Sequence, residues 1–159
     1  MAGSTPWNSR LSGTSSRFPV YVNGHPDGLL LETAAGLLDD ESPEDAVRRE
    51  VEEELGVTVG EVEHVFDVWM SPGSVTERLH FFAAPYSAAD RTGDRGGLAD
   101  EGEDIEVVEL DFDAALDMIH DGRIADAKTI MLLQWAVLRG PFARRGDGAR
   151  RRRPGRWTA

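Results

Sequence analysis

The sequence predicts an α/β fold, and three observations support that class. The chain has 159 residues, about the length of one domain. Segments rich in valine and aromatic residues are interspersed with segments that have the apolar periodicity of helices. Cysteine is absent and no apolar run approaches the ~18 to 20 residues of a spanning helix, which excludes disulfide scaffolds, thiolate zinc sites and membrane helices. Since no apolar signal segment opens the chain, we expect a cytoplasmic protein.

The formal net charge of −12 is divided unevenly along the chain. Residues 139–159 carry eight arginines and one acid, a charge of +7, which leaves −19 for residues 1–138. Such an acidic body repels phosphates and nucleic acid unless a cation intervenes, and a bound divalent metal is one candidate. We expect 139–159 to be a disordered arginine-rich tail. It either folds back on the acidic body or binds an anionic surface or nucleic acid.

The first part of the chain has little regular pattern. Residues 1–16 are rich in Ser, Thr and Gly without periodicity, so we expect a flexible segment. Residues 18–22 favour an extended segment, and the apolar run 29–33 favours a short strand.

The clearest helix is predicted over residues 42–55. Ser42 is a good N-cap, Pro43 suits the first helical position, and Asp45 could complete a capping box with Ser42. Gly56 is the residue expected just after the helix. Three aliphatic residues at four-residue steps form its expected buried stripe: Val47, Val51 and Leu55.

The remaining elements follow in a regular order. They are β-rich residues 57–70 with a break at Gly60, a turn at 71–73, a strand at 75–84, a polar loop at 87–103, a strand at 105–110, and helices at 112–120 and 126–139. A loop as long as 87–103 in a compact domain is typically functional or disordered. His25, His64 and His120 have no metal-ligand spacing, and we expect them at turns or on the surface.

Three glutamates crowd one face of the predicted helix. Glu50, Glu53 and Glu54 are three and four residues apart, a spacing at which like charges destabilise a helix by about 0.2–0.5 kcal/mol per pair. Arg49 can reach Glu53, and a hard divalent cation would offset the repulsion more fully. Taken alone, however, these glutamates are also typical of a solvated acidic helix face.

The order of residues around these glutamates is more specific. Gly36 is followed by Glu41, by Arg49-Glu50 after seven intervening residues, and by a valine, two glutamates and Gly56-Val57. This pattern resembles the box of the Nudix hydrolase superfamily, Gly-x5-Glu-x7-Arg-Glu-U-x-Glu-Glu-x-Gly-U, in which U is a bulky aliphatic residue. Every fixed residue is present, although the first gap is four residues rather than five.

The resemblance extends over residues 17–138 and is greatest to the nucleotide-sugar branch, which includes ADP-ribose and GDP-mannose pyrophosphatases. The matching segments are 17–18, 22–24, 35–39, 70–73, 75–77, 80–82, 103–107 and 128–129. The resemblance implies an α/β/α sandwich with a mixed sheet. Family members usually carry further strands before the position of Arg17, so we expect 17–138 to be an incomplete domain that lacks them.

The resemblance also implies a magnesium site, with Mn²⁺ as the alternative metal. Its ligands correspond to the Ala35 carbonyl and to Glu50, Glu54 and Glu103. Glu53 and Glu103 match the catalytic positions, and Glu101 competes with Glu103 for its role. A divalent cation at this site would neutralise the charge of two linked phosphates and lower the pKa of a bound water.

Further positions match residues that, in the family, contact the substrate or support the structure of the box. The implied substrate-binding residues are Arg17, Gly36, Leu37, Glu77 and Lys128, and the implied structural residues are Glu41, Arg49 and Gly56. The implied reaction is hydrolysis of a nucleoside diphosphate sugar, such as GDP-mannose or ADP-ribose, to a nucleoside monophosphate and a sugar phosphate.

The alternative is an inactive fragment that at most binds metal or nucleotide. Family members form homodimers through the region expected to be missing, which argues against a dimer here. The expected partner is a nucleotide-sugar substrate. A membrane is not expected, nor is nucleic acid apart from the hypothesis about the arginine-rich tail.

Overall fold

The computed structural model describes residues 10–16, 28–38, 40–93 and 105–143, and for 10–16 it describes the backbone alone. In these ranges the chain forms β1 (Arg10–Ser16), β2 (Leu30–Glu32), α1 (Pro43–Leu55), β3 (Glu63–Trp69), β4 (Arg78–Ala83), β5 (Glu106–Asp111), α2 (Phe112–His120) and α3 (Ala127–Leu138). This combination of strands and helices confirms the predicted α/β class. Among these helices, none combines the length and the hydrophobicity needed to cross a membrane.

Two antiparallel sheets organise the described strands. β1 lies between β2 and β5, with Thr14 opposite both Glu32 and Val107, while β3 and β4 form a separate hairpin. Every strand pair within the described ranges is antiparallel. The parallel pair that a mixed sheet requires therefore stays a prediction.

The expectation of a flexible segment over 1–16 is wrong for residues 10–16, which form β1. Its backbone pairs with β5 over residues 10–15 and with β2 over residues 14–16, so Thr14 and Ser15 have strand partners on both sides. Strand formation here depends on these distant partners rather than on local composition, since Ser, Thr and Gly give no apolar alternation. Residues 1–9, 17–27 and 144–159 lie outside the described ranges, and the rest of the predicted domain division stays a prediction.

Helix α1 forms as its sequence predicts. The Ser42 side chain accepts a hydrogen bond from the Asp45 N–H at 3.2 Å, and Pro43 occupies the first turn. The Ser42 hydroxyl also donates a hydrogen bond to Asp45 Oδ2 at 2.8 Å, so the side chains of the two predicted capping residues contact each other. Gly56 ends the helix in the left-handed region at φ 62° and ψ 36°.

Replacing Gly56 by Ala is expected to lower the free energy of unfolding by about 1 kcal/mol, because a Cβ is disfavoured at a positive φ. Gly60→Ala is the matched control, since a Cβ at Gly60 meets nothing within 4 Å. Urea denaturation of both variants measures the difference, and equal effects would contradict this role for Gly56.

Two apolar clusters support the region around α1. Leu55, Val57 and Val59 are buried where α1 ends and the chain turns towards β3. The second cluster joins α2 and α3 and consists of Phe112, Ala115, Ile124, Leu133 and Ala136. Its edge is closed by Phe142, whose ring stacks on Phe112 with centroids 4.0 Å apart. These clusters fix the helices between which a cavity opens.

Candidate active site

Arg49 joins three glutamates at the surface of α1. Its Nε and Nη2 donate to Glu41 Oε1 at 3.0 and 2.8 Å, and its Nη1 donates to Glu53 Oε2 at 3.0 Å. The same Nη1 lies 2.9 Å from Glu50 Oε1. The hydrogen bond to Glu41 is the largest influence on Arg49 and, with the other glutamates, raises its pKa above the ordinary value. One guanidinium therefore offsets much of the carboxylate repulsion, and the predicted Arg49–Glu53 contact is confirmed.

The backbone at Gly36 lies directly against the Glu50 carboxylate. A Cβ built on Gly36 would overlap the carboxyl carbon and Oε1 of Glu50. No other residue type fits this close approach without moving the loop or the glutamate. The loop of Ala35 and Gly36 and the first glutamate after Arg49 are thus held together, as a shared metal site requires.

Glu54 lies one turn beyond Glu50 on α1 and is 7% exposed. The four-residue spacing places both carboxylates on one face of the helix. A carboxylate buried this deeply is stable when donors or a cation surround it, so its position favours an ion-binding role over solvation. This burial argues against the interpretation of these glutamates as a solvated acidic face.

A cavity of about 400 Å³ opens beside Glu50. That volume is typical of sites for small molecules. Six predicted site residues line it: Ala35, Gly36, Leu37, Glu50, Glu77 and Lys128. Glu53 and Glu54 are not among its lining residues, and Leu37 is 84% exposed at its edge. Arg17, Glu101 and Glu103 lie outside the described residues, so their roles stay predictions.

Lys128 enters the cavity from the first turn of α3. Its Nζ donates to Asp126 Oδ1 at 2.9 Å and lies 3.4 Å from Glu32 Oε2 of β2. Both acids are buried, at 9% and 7% exposure. Burial lowers the pKa of Lys128, but its hydrogen bond to Asp126 and the charges of both acids outweigh that effect and leave the pKa raised.

Replacing Lys128 by Met is expected to lower the free energy of unfolding by about 2 kcal/mol, because the buried carboxylates of Asp126 and Glu32 would lose their ion pairs with its ammonium group. Arg123→Met is the control; its pair with Asp121 is exposed and is expected to contribute less than about 0.5 kcal/mol. Since the folded-state pKa of Lys128 is raised above 10.5, this stabilisation is complete below pH 10.5 and is lost as the pH rises through the folded-state pKa. Denaturation at pH 7 and above pH 10.5 measures both effects, and a Lys128→Met variant as stable as the Arg123 control would contradict them.

Sequence reasoning missed the acids that hold Lys128. Glu32 is a single acid in the apolar run 29–33, and that isolation is the signal that could have identified it. Its pairing with α3 joins distant parts of the chain, as does the 2.8 Å hydrogen bond from the Thr33 N–H to Thr129 Oγ1.

His64 lies at the surface as expected, but the fold gives it neighbours that its spacing in the sequence did not indicate. The hairpin brings His64, Asp67 and His80 together, with their ligand atoms within 4.8 Å of one another. The hydrogen bond from His64 is the main cause that lowers the pKa of Asp67 to about 2, with further contributions from Arg78 and His80. Asp67 lies opposite His80 because both are equally distant from the centre of the hairpin, between residues 73 and 74, whereas a turn centred on 71–73 would have set Asp67 opposite Glu77.

Comparisons with known proteins agree with this geometry. Residues 15–133 match the NUDIX domain family. The chain is 59% identical over 128 residues to the GDP-mannose pyrophosphatase of Pectobacterium atrosepticum, covering 80% of this chain and 65% of that protein. It is 50% identical over 131 residues to the GDP-mannose pyrophosphatase of Klebsiella pneumoniae, covering 82% and 65%.

A solved structure described as an ADP compounds hydrolase shares the fold with a TM-score of 0.65 at 19% identity. The match covers 84% of this chain and 70% of that one. The chain spans about 65% of the length of the two curated relatives described above.

Proposed function

Because the chain belongs to the Nudix family, we propose that it hydrolyses the diphosphate linkage of a nucleoside diphosphate sugar. The products would be a nucleoside monophosphate and a sugar phosphate. The observation that carries the proposal is the close approach of Gly36 to Glu50 at the cavity, which brings the first glycine of the box against the glutamate that follows its arginine. The names of the relatives favour GDP-mannose and ADP-containing compounds as the substrates to test first.

The residues present fit a hard divalent cation such as Mg²⁺. The Ala35 carbonyl and the carboxylates of Glu50 and Glu54 are oxygen donors, which Mg²⁺ prefers, and the missing Cβ at Gly36 lets backbone and carboxylate approach. When bound, the cation supplies charge neutralisation for the diphosphate and a more acidic water. We propose that these three groups hold it, and that Glu103 completes the set.

The chain's own side chains then position the reacting groups. Arg49 fixes the Glu53 carboxylate by a 3.0 Å hydrogen bond, so Glu53 is held at the face of α1 where we propose that it accepts or orients a proton. Lys128 has three N–H donors, and Asp126 and Glu32 engage two of them. We propose that the third donates to a substrate oxygen.

The proposal is tested by a coupled assay in which alkaline phosphatase releases inorganic phosphate from the products but not from an intact nucleotide sugar. We expect phosphate release from GDP-mannose or ADP-ribose with Mg²⁺, and none when the chain is incubated with EDTA before the phosphatase is added in excess Mg²⁺ and Zn²⁺. If a panel of nucleoside diphosphate sugars gives no release with either Mg²⁺ or Mn²⁺, the chain is an inactive binder and the proposal fails.

A further inference from the structure

The β3–β4 hairpin brings together three side chains of types that can ligate a metal ion. Asp67 Oδ1 lies 2.8 Å from His64 Nε2 and 2.8 Å from His80 Nδ1. Asp67 Oδ2 accepts a 2.6 Å hydrogen bond from Arg78. The cluster is open to solvent, since the side chains of His64, Asp67 and His80 are 48%, 26% and 23% exposed. None of these residues is among the proposed ligands on α1, although His80 and Arg78 also line the cavity beside Glu50.

A β-bulge places the three ligands on the same face of the hairpin. Successive strand residues point to opposite faces, so His64 and Asp67, three apart, would normally face away from each other. The register shifts between His64 and Phe66, which pairs His64 with Phe82 and Asp67 with His80. Phe82 and His80 are two apart on β4 and share a face. The bulge therefore re-aims His64 towards Asp67, a role that bulges have at functional sites.

The opposite face of the hairpin is apolar and supports this arrangement. Phe66 pairs with Phe81, with ring centroids 4.8 Å apart, and Phe81 is 5% exposed. The packing of these rings fixes the strands beneath the cluster. Arg78 holds the second oxygen of Asp67 and leaves Oδ1 directed at both imidazoles.

We propose that His64, Asp67 and His80 form a binding site for a zinc-class divalent cation, separate from the oxygen site of α1. Two imidazole nitrogens and one carboxylate are ligands suited to Zn²⁺ or Co²⁺, whereas Mg²⁺ prefers oxygen donors. Tetrahedral zinc with bonds of about 2.0–2.1 Å needs ligand atoms about 3.3 Å apart. The observed separations, all within 4.8 Å, are close enough for small side-chain rotations to complete the site. Water would supply the remaining coordination.

A cation here would link the two strands of the hairpin, because His64 and Asp67 lie on β3 and His80 on β4. Zn²⁺ should therefore raise the free energy of unfolding, and the increase should grow with the ratio of free Zn²⁺ to its Kd. Arg78 opposes binding, since its positive charge lies beside Asp67 and its hydrogen bond competes for the carboxylate.

Titration with Zn²⁺ in excess Mg²⁺ tests this site, because the excess Mg²⁺ should fill the oxygen site proposed on α1. We expect one Zn²⁺ to bind per chain by calorimetry, and Co²⁺ to give the visible absorption of low-coordinate cobalt. His64→Gln and His80→Gln should each weaken binding on the order of tenfold or more. His120→Gln, at the exposed end of α2, is the matched control and should leave it unchanged.

Arg78→Met separates a metal site from a purely structural hydrogen-bond cluster. A metal site predicts tighter Zn²⁺ binding and a larger rise in Tm with Zn²⁺ in this variant, because the competing charge is gone. If the three residues form only a structural hydrogen-bond cluster, Arg78→Met should show no tighter Zn²⁺ binding and no larger rise in Tm than the wild type. The proposal is overturned if the wild-type chain shows no saturable Zn²⁺ binding, or if the His64→Gln chain, folded by circular dichroism, binds Zn²⁺ as the wild type does.

Discussion

Glu54→Gln and Glu50→Gln are each expected to lower kcat for nucleotide-sugar hydrolysis by on the order of 100-fold or more. Each replaces a proposed anionic metal ligand by a neutral amide of nearly the same shape. Glu54 is 7% exposed, and the side chain of Glu50 is 16% exposed, so bulk water is a poor substitute for either carboxylate. Steady-state rates over a range of Mg²⁺ concentrations measure the loss. We expect a higher Mg²⁺ requirement alongside the lower kcat.

Glu52→Gln is the matched control for both variants. Glu52 belongs to the same helix but occupies the variable position of the box. We therefore expect the kcat of this variant to stay within about twofold of the wild type. Circular dichroism should show that all three variants are folded. Equal rates for Glu54→Gln and wild type would show that the buried carboxylate is not a metal ligand.

Gly36→Ala should lower kcat/KM by on the order of 10- to 100-fold while leaving the chain folded. The new Cβ would overlap the Glu50 carboxylate, so either that side chain or the exposed loop around Gly36 must move. A displacement of about 1 Å in a catalytic arrangement is enough for a loss of this size. Because the loop is exposed, the free energy of unfolding should change by less than about 1 kcal/mol.

The comparison variant is Gly73→Ala, since a Cβ at that position meets nothing within 4 Å. Its activity and Tm should match the wild type. Rates and thermal melts of the two variants separate a local effect at Glu50 from a general effect of adding a methyl group. If Gly36→Ala is as active as Gly73→Ala, the close approach of Gly36 to Glu50 has no role in the reaction.

The parts of the fold that the sequence predicted well are those with local causes. α1 begins after Ser42 and ends at Gly56, because an N-cap and a left-handed glycine act within a few residues. The Arg49–Glu53 contact follows from helical spacing in the same way. The motif around these residues therefore predicted both the element and much of its surface chemistry.

The parts that sequence reasoning missed depend on contacts between distant segments. β1 forms because β2 and β5 flank a segment whose composition favours no strand. The Glu32–Lys128 pair joins β2 to α3, and the His64–Asp67 contact depends on a bulge that no composition signal shows. In each case the residue or strand depends on a partner that only the folded chain brings close, so the local sequence does not reveal the contact.

The candidate site falls between these two cases. The box predicted Gly36 and Glu50 as functional residues, but only the fold shows the glycine backbone against that carboxylate beside a cavity shared with Lys128. The cavity wall combines β2, α1, β4 and α3, so no single segment encodes it.

The most direct test of the central claim is the anomalous scattering of Mn²⁺ in crystals grown with that ion. We expect a peak within coordination distance of the Ala35 carbonyl oxygen and the carboxylates of Glu50 and Glu54, because Mn²⁺ favours oxygen ligands. That peak should be absent from the Glu54→Gln variant or much weaker there. Well-ordered crystals with no Mn²⁺ at these three groups would contradict the account.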